Sequence, residues 1–465
     1  MTLRSIQLWA TIFVLTLSPL FFGSVDQLWI ALWAIVLSVT TLLGLTAPLN
    51  GAQARILGIF LSVCFVYAIV AAVQVVPLLL PGFDDPIWPR ANELLGTEVL
   101  PRISGTARIS PIAIGHFILF ITSFLSGFYA GTWRNNASTL IFAARIAIVL
   151  YAIYGLASLA VAPDFLLWAP KLAYRGSLTA SFVNHNTAAT FVGCGVILWS
   201  CRVYFSVQSL QKSSLRLLLL SPFNQHVALD LMLRACAALT CLFALLLTNS
   251  RGGLICSSLG LLVALGLLVA PKFKRRIGFA MGGGVVALIM LAAWLARMGR
   301  IGSEGVIDDG RWAVYKTAIE AIRQRPLFGA GAGTFESLFS SLRTADFNSW
   351  GVWDYAHSTV LEIAIEMGLP VAAVIVTAAC ASVFVLMRRT LRSDDRTRVT
   401  LAAITGIAVL TYLHSMIDFS LQIPGYLIAF GILLGCGLAM ATADEASGRR
   451  SRAFEGVTQP TPNLR

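Results

Sequence analysis

The chain has 465 residues, of which 57% are hydrophobic and only 12% are charged, and its mean hydropathy is +0.79. This balance excludes an ordinary soluble protein, in which about a quarter of the residues are charged, and indicates a polytopic membrane protein. The net charge of +12 is attributed to cytoplasmic loops and not to a nucleic-acid partner, because no basic stripe with interleaved aromatic residues lies outside the apolar runs. The eight cysteines lie in or beside apolar runs and predict no disulfide framework.

Twelve apolar runs are long enough to cross a bilayer, and they predict an all-α membrane fold. The first run follows Arg4 and has no small-residue cleavage site, so we interpret it as an uncleaved helix. The runs lie at about 6–22, 27–47, 55–80, 111–132, 138–161, 184–206, 233–249, 251–270, 277–296, 357–386, 399–416 and 423–442.

The positive charges predict the orientation of these spans. With the N-terminus in the cytoplasm, the densely basic short loops such as 272–276 and 388–398 fall inside, and both termini face the cytoplasm. Eight cations nevertheless fall outside, namely Arg251 in its turn and those of the long loop up to Arg343, so we expect a function for them. The alternative is that they reach lipid phosphates at the interface. The predicted regions are 1–110 (first helices and first periplasmic loop), 111–296 (central helices), 297–356 (large periplasmic loop), 357–442 (last helices) and 443–465 (disordered cytoplasmic tail).

The large outer loop contains one predicted helix, which Asp309 begins and Pro326 ends. We expect it to lie flat on the outer membrane interface. The GAGAG run at 329–333 is interpreted as a tight turn, with a phosphate-binding loop as the alternative. The apolar face of the helix comprises Trp312, Tyr315, Ile319 and Ile322, and the polar face comprises Lys316, Glu320 and Arg323.

His357 ends this outer loop and is the candidate general base. Thr359 and Glu362, which follow it, fit a capping box, so His357 would precede a helix N-terminus, where a neutral imidazole is favoured and can accept a proton from a hydroxyl. The alternative is a histidine that only bonds a loop carbonyl. Glu362 and Glu366 lie four residues apart in the tenth span and are functional candidates, although pairing with an arginine would explain them equally well.

Three arginines are the candidate anion-binding residues. Arg251 lies in an NSRGG turn between two spans, Arg175 precedes the sixth span, and Arg311 opens the loop helix. Guanidinium groups match phosphate oxygens, and three of them could neutralise a diphosphate leaving group without a metal. Polar residues expected nearby are Asn184, His185 and Asn186 before the sixth span, and His414 and Asp418 at the outer end of the eleventh.

The location of these residues selects a reaction class. Nucleotide sugars and ATP are absent outside the inner membrane, so an outward-facing enzyme needs a donor that is already activated. A lipid-linked diphosphate supplies the activation and explains the arginines, which predicts glycosyl transfer from a polyprenyl diphosphate to a hydroxyl. The acid pairs at 84–85 and 308–309 lack a His or Glu at ligand spacing, so no metal site is predicted.

The motifs resemble those of the O-antigen ligase and polymerase superfamily of bacterial envelope glycosyltransferases. The resemblance covers about the C-terminal 60% of the chain and rests on the order of the motifs and their placement in loops. Its segments are NSRGG at 249–253, DDGRWAVYKTAIEAIRQRPLFGAGAGTF at 308–335, AHSTVLEIAIEMG at 356–368, FVNHNTAATF at 182–191 and HSMIDFSLQIPG at 414–425.

The resemblance implies an inverting, metal-independent transferase without a cofactor, built on a C-type glycosyltransferase-like membrane fold with a long helical periplasmic loop before the tenth span. It implies that His357 is the catalytic histidine and that Arg251 and Arg311 bind the diphosphate, with Arg175 as a weaker correspondence. The residues expected to bind substrate are Arg175, Asn184, Asn186, Lys316, His414, Asp418 and Glu362.

The implied donor is an undecaprenyl-diphosphate-linked glycan at the periplasmic face of a bacterial inner membrane. A polymerase of O-antigen or exopolysaccharide is favoured, because the segments at 182–191 and 414–425 look more like exopolysaccharide-type members. The alternatives are a ligase that uses lipid A-core and a ligase that glycosylates proteins. A chain-length regulator protein is an expected partner. A flippase or other transporter is the rival class, but it would show related halves and polar residues at mid-membrane.

Overall fold

The computed structural model describes residues 2–77, 80, 82–96, 98–210, 225–270, 309–342 and 353–443. Within these residues, ten helices are long and apolar enough to cross a membrane, which confirms the predicted all-α polytopic fold. A short antiparallel hairpin joins β1 (Phe165–Leu166) to β2 (Ala169–Pro170). The predicted ninth span and the tail after residue 443 lie outside the described residues.

The described helices follow the predicted spans and add short helices in the outer loops. In chain order they are α1 (Leu3–Leu17), α2 (Gln27–Gly44), α3 (Gly51–Val75), α4 (Ile87–Leu95), α5 (Pro111–Gly131), α6 (Arg134–Val161), α7 (His185–Leu210), α8 (Gln225–Leu247), α9 (Arg251–Val269), α10 (Asp309–Gln324), α11 (Phe335–Leu342), α12 (Thr359–Met367), α13 (Leu369–Arg392), α14 (Asp395–Ser415) and α15 (Pro424–Ala441).

The core lies around α15, which is buried along its whole length. Glycines allow α5 and α15 to approach closely, because a Cβ atom at Gly127 would lie 2.1 Å from the carbonyl oxygen of Ile432, and one at Gly435 would lie 2.1 Å from that of Phe124. By contrast, α3, α8 and α13 leave most of their surface exposed, as expected for helices that face lipid.

Contacts between loops agree with the predicted sidedness. Arg134 pairs with Asp394 at 3.0 Å, and both were assigned to the cytoplasmic side. Arg325 pairs with Asp85, which joins the large outer loop to the first outer loop. Arg325 therefore has a structural partner, although it belongs to the group of unexpected outer cations.

The tenth predicted span, 357–386, is not one helix, and this expectation was wrong. Helix α12 ends at Met367, the φ of 83° at Gly368 breaks the helical path, and the membrane-length helix α13 begins at Leu369. A Cβ atom at Gly368 would lie 2.2 Å from the carbonyl oxygen of Leu327, so the break is packed against the outer loop. Glu362 and Glu366 consequently precede the span instead of lying within it.

The first predicted span, 6–22, is also shorter than expected. Helix α1 ends at Leu17, and the chain then turns through Phe22 and Ser24, both with positive φ. Hydropathy alone missed this end because the residues after Leu17 remain largely apolar.

Helix α10 begins at Asp309 and ends at Gln324, close to the predicted stop at Pro326. Its predicted apolar face is only partly right, because Ile319 is 44% exposed whereas Ile322 is buried. The buried face also contains three small or β-branched residues that the pattern did not select. These residues, Val314, Ala318 and Ala321, pack against Phe335, Phe339, Ala364 and Ile365 of α11 and α12.

The GAGAG run forms the predicted tight turn, since Gly329, Gly331 and Gly333 all have positive φ. Its N–H groups are used within the protein. Those of Ala330 and Gly331 donate to the carbonyl oxygens of Ile365 and Glu366, at 2.8 and 3.0 Å. The N–H of Ala332 donates to Gln74 Oε1 at 3.1 Å, which attaches the turn to the end of α3.

Candidate functional site

The NSRGG turn connects α8 to α9 and presents Arg251 at the first position of α9. Ser250 caps this helix, because its hydroxyl accepts a hydrogen bond from the N–H of Gly253 at 3.1 Å. Both glycines are tightly packed: a Cβ atom at Gly252 would lie 3.2 Å from His414 Nε2, and one at Gly253 would lie 2.5 Å from Ala189 Cβ. The turn that carries Arg251 is therefore enclosed by α7 and α14, while the arginine itself is exposed.

The loop that carries Arg175 packs directly on this turn. The N–H of Leu178 donates to the carbonyl oxygen of Leu247 at 2.9 Å, and Asn249 Nδ2 donates to Ser177 Oγ at 3.0 Å. Arg175 is exposed and donates from Nε to the carbonyl oxygen of Lys171 at 3.3 Å. The structure thus places the two arginine-bearing segments in contact at one end of the helices.

Two further contacts hold this loop. The side chain of Lys171 is buried, burial lowers its pKa, and its Nζ donates to the carbonyl oxygen of Ser177 at 3.1 Å. His185 Nδ1 lies 2.7 Å from the carbonyl oxygen of Thr248, and the His185 ring stacks on Tyr174 with the centroids 4.2 Å apart.

A buried hydrogen-bond network joins three of the segments selected from the sequence. Ser250 Oγ donates to Asn186 Oδ1 at 2.7 Å, and Asn186 Nδ2 donates to Asp418 Oδ1 at 3.0 Å. The second carboxylate oxygen of Asp418 accepts a bond from the hydroxyl of Ser420. Asn184 fixes the start of α7, because its Oδ1 accepts the N–H of Asn186 at 2.7 Å.

His414 belongs to the same network through Thr190. Thr190 Oγ1 lies 2.6 Å from His414 Nδ1 and 3.1 Å from Ser420 Oγ. The His414 side chain is buried, with its other ring nitrogen toward Gly252. His414 and Asp418 are therefore joined through Thr190 and Ser420.

His357 lies immediately before α12, in a left-handed conformation with φ of 50°. Two aromatic rings contact its imidazole in T-shaped arrangements: the centroids of Trp353 and Phe419 lie 5.0 and 4.9 Å away. Its carbonyl oxygen accepts a hydrogen bond from the hydroxyl of Tyr315 at 3.0 Å. The imidazole thus has a defined place between the outer loop and the segment that follows α14.

The predicted capping box at Thr359 and Glu362 was wrong. Ser358 caps α12, because its hydroxyl accepts the N–H of Leu361 at 3.3 Å. Glu362 lies one position too far along for a capping box, so its buried carboxylate accepts the N–H of Ala356 at 2.7 Å and the side-chain amide of Gln422. This carboxylate holds the residue before His357, and the partners found for it among the described residues are amide groups.

The cap also connects His357 to the buried network. Thr359 Oγ1 donates to the carbonyl oxygen of Asp418 at 3.3 Å. One hydrogen-bonded path therefore runs from the residue before Arg251 to the second residue after His357.

Two expected site residues lie on α10. Arg311 belongs to the first turn of α10, four residues before Tyr315. Lys316 is exposed, and within the described ranges no hydrogen bond or ion pair joins it to the other candidates. The described residues also contain no group of three or more His, Cys, Asp or Glu side chains that could hold a metal ion.

The network includes residues that sequence reasoning did not select. They are the hydroxyl groups of Ser250, Thr190 and Ser420 and the amide of Gln422. Each of them lies inside one of the sequence segments already selected as a motif. Membership of these segments was the one feature of the sequence that could have identified them. Their partners lie far away in the sequence, so no local pattern could reveal the bonds.

These features describe an α-helical protein with ten candidate membrane spans among the described residues, and they place the candidate residues Arg251, Arg175 and His357 at helix ends or in the loops beside them. Residues 236–376, which contain Arg251, Arg311 and His357, match the family described as O-Antigen ligase. This match agrees with the superfamily predicted from the motifs over these residues. A comparison with curated proteins found no match.

Proposed function

We propose that the protein is an inverting glycosyltransferase that moves glycan from an undecaprenyl-diphosphate donor to an acceptor hydroxyl at the periplasmic face of a bacterial inner membrane. The observation that carries the proposal is the hydrogen-bonded path between the Arg251 turn and the His357 segment. It ties a candidate anion-binding group to a candidate base, which is what transfer from a diphosphate requires.

In this proposal His357 is the general base. Its imidazole takes the proton from the acceptor hydroxyl while the hydroxyl oxygen forms a bond to the anomeric carbon of the donor sugar. The bond from that carbon to the diphosphate oxygen breaks on the opposite face, so the configuration inverts. The position before the N-terminus of α12 favours the neutral imidazole that this step needs.

Arg251 and Arg311 receive the leaving group. The diphosphate departs with the bonding electron pair, and guanidinium groups stabilise the charge through paired hydrogen bonds. Arg175 supplements them, because its loop packs on the Arg251 turn. The chemistry requires no metal, since the charge stabilisation comes from these arginines.

Within this reaction class we favour a polymerase that joins lipid-linked repeat units of O-antigen or exopolysaccharide. The sequence features behind that choice are the segments at 182–191 and 414–425, which supply Asn186 and Asp418 to the network. The description of the matching family favours the alternative, a ligase that uses lipid A-core as acceptor.

The test uses purified protein with a lipid-linked repeat unit as the only substrate, and the products are separated on a gel. A ladder of lengths that disappears in Arg251→Ala and His357→Ala, while Arg251→Lys retains little activity, would support the polymerase. Arg323→Ala is the matched control, because this outer-loop cation is exposed and pairs only weakly with Glu320, at 3.8 Å.

The acceptor experiment separates the alternatives. Transfer that occurs only after lipid A-core is added would identify a ligase. A ladder that persists in His357→Ala would remove the proposed base. Failure to transfer to either acceptor, combined with movement of the lipid-linked unit across proteoliposomes, would replace the enzyme with the transporter.

A further inference from the structure

We infer that Asn186 and Asp418 are positioning residues that set the spacing between Arg251 and His357, and not substrate ligands as their sequence context predicts; this rests on the proposed function. Both side chains are buried, Asp418 completely, and each is bonded to other protein groups. A substrate ligand would have to present its polar atoms to the site.

The path has a chemically defined direction at each step. The hydroxyl of Ser250, which caps the helix that Arg251 begins, donates to the amide oxygen of Asn186. The amide nitrogen of Asn186 donates to the carboxylate of Asp418. The main-chain carbonyl of Asp418 in turn accepts the hydroxyl of Thr359.

Asn186 is the residue on which this path depends. An amide is both donor and acceptor, so it can accept from Ser250 and donate to Asp418 at the same time. A carboxylate at position 186 could still accept from Ser250, but it would face Asp418 at about the present 3.0 Å as a second anion. Asn186→Asp therefore removes the amide donor and replaces the middle bond with a pair of carboxylates that repel each other when both are ionised, with almost no change in side-chain shape.

Exchange of the two residues provides a specific rescue. In the double variant Asn186→Asp with Asp418→Asn, the amide at 418 donates to the carboxylate at 186, and its oxygen still accepts from Ser420. The carboxylate at 186 still accepts from Ser250. Asp418→Asn alone should have a smaller effect than Asn186→Asp, because its amide can turn to accept from Asn186 and donate to Ser420.

The experiment measures kcat and KM for transfer in detergent-purified full-length variants. Misplacement of reacting groups by about 1 Å can cost about 100-fold in rate, so we expect Asn186→Asp to lower kcat by about 10- to 100-fold with KM changed by less than about threefold. The double variant should recover most of that loss. Gln7→Glu is the matched control: Gln7 is a buried amide on α1 that donates to the carbonyl oxygen of Ser126 on α5, so its change should not lower the kcat of the folded protein.

A second measurement does not depend on turnover. Undecaprenyl diphosphate should raise the melting temperature of Asn186→Asp as it raises that of the wild-type protein, since the path sets the distance from Arg251 to His357 and does not contact the ligand. Loss of this stabilisation in Asn186→Asp, or a double variant as slow as the single one, would overturn the positioning role. A kcat in Asn186→Asp equal to that of the wild-type protein would also overturn the positioning role, but it would leave the proposed function intact. A wild-type protein that neither transfers glycan nor responds to the diphosphate would overturn both.

Discussion

The tight contact at Gly253 allows a quantitative test of how the Arg251 turn is held. In Gly253→Ala the new Cβ atom would lie 2.5 Å from Ala189 Cβ, whereas carbon atoms in contact prefer about 3.5–4.0 Å. Helices α7 and α9 must therefore separate by about 1 Å at the turn. Overpacking of this kind costs about 1–3 kcal/mol, and the better helix propensity of alanine returns at most about 1 kcal/mol.

We expect Gly253→Ala to lower the free energy of unfolding by about 1–2 kcal/mol and the transfer rate by about 10- to 100-fold, because the shift moves Ser250 and Arg251 together. Melting temperature in detergent and initial transfer rate measure the two effects. Gly266→Ala is the control within the same helix, since a Cβ atom there meets nothing within 4 Å.

Addition of Ala189→Gly to Gly253→Ala moves the methyl group from one helix to the other and should recover part of the stability and of the rate, because the contact of the new Cβ atom with Ser250 Oγ at 2.9 Å remains. If Gly253→Ala is as stable and as active as Gly266→Ala, the packing of the turn does not position Arg251, and the reasoning fails. If the double variant stays inactive, the contact between positions 189 and 253 does not cause the loss of rate in Gly253→Ala.

Two further predictions concern the outer loops. Arg325→Ala leaves the largely buried Asp85 carboxylate without its cation, so the free energy of unfolding should fall by about 3 kcal/mol. Arg323→Ala removes an exposed pair with Glu320 and should cost less than about 1 kcal/mol. Equal melting temperatures for the two variants would contradict this prediction. Burial raises the pKa of Glu366 from an ordinary 4.5 to about 7, so its stabilising protonated form is fully present below pH 4.5 and is lost as the pH rises through 7. The wild-type melting temperature should therefore fall between pH 5 and pH 8, and Glu366→Gln should reduce that fall; identical pH profiles would show that this carboxyl does not titrate as argued.

Helix α10 shows which features of a helix can be predicted from its own sequence. Its last residue was predictable, because Pro326 restricts the backbone just before it. Its buried face was only partly predictable, because alanines such as Ala318 are buried by the closeness of α11 and α12, while Ile319 remains exposed. Hydrophobicity in one segment carries no information about the distance of the neighbouring helix.

By itself the sequence determined the class of the protein and where the candidate chemistry lies. Long apolar runs can satisfy their backbone groups in a membrane only as helices, and cations placed against the usual charge distribution drew attention to Arg251, Arg311 and Arg175. His357 was selected because it lies at the end of the outer loop, just before a predicted helix N-terminus. These properties depend on short stretches of sequence.

Only the tertiary structure decided which polar groups bond to one another. Asn186 and Asp418 are 232 residues apart in the chain, and Ser250 and Asn186 are separated by 64. Such pairs form because packing of α7, α9 and α14 brings their ends together and leaves the buried polar groups no water to bond. The same packing made Ser358 the cap of α12 and turned Glu362 toward Ala356, which a local capping pattern had no means to show.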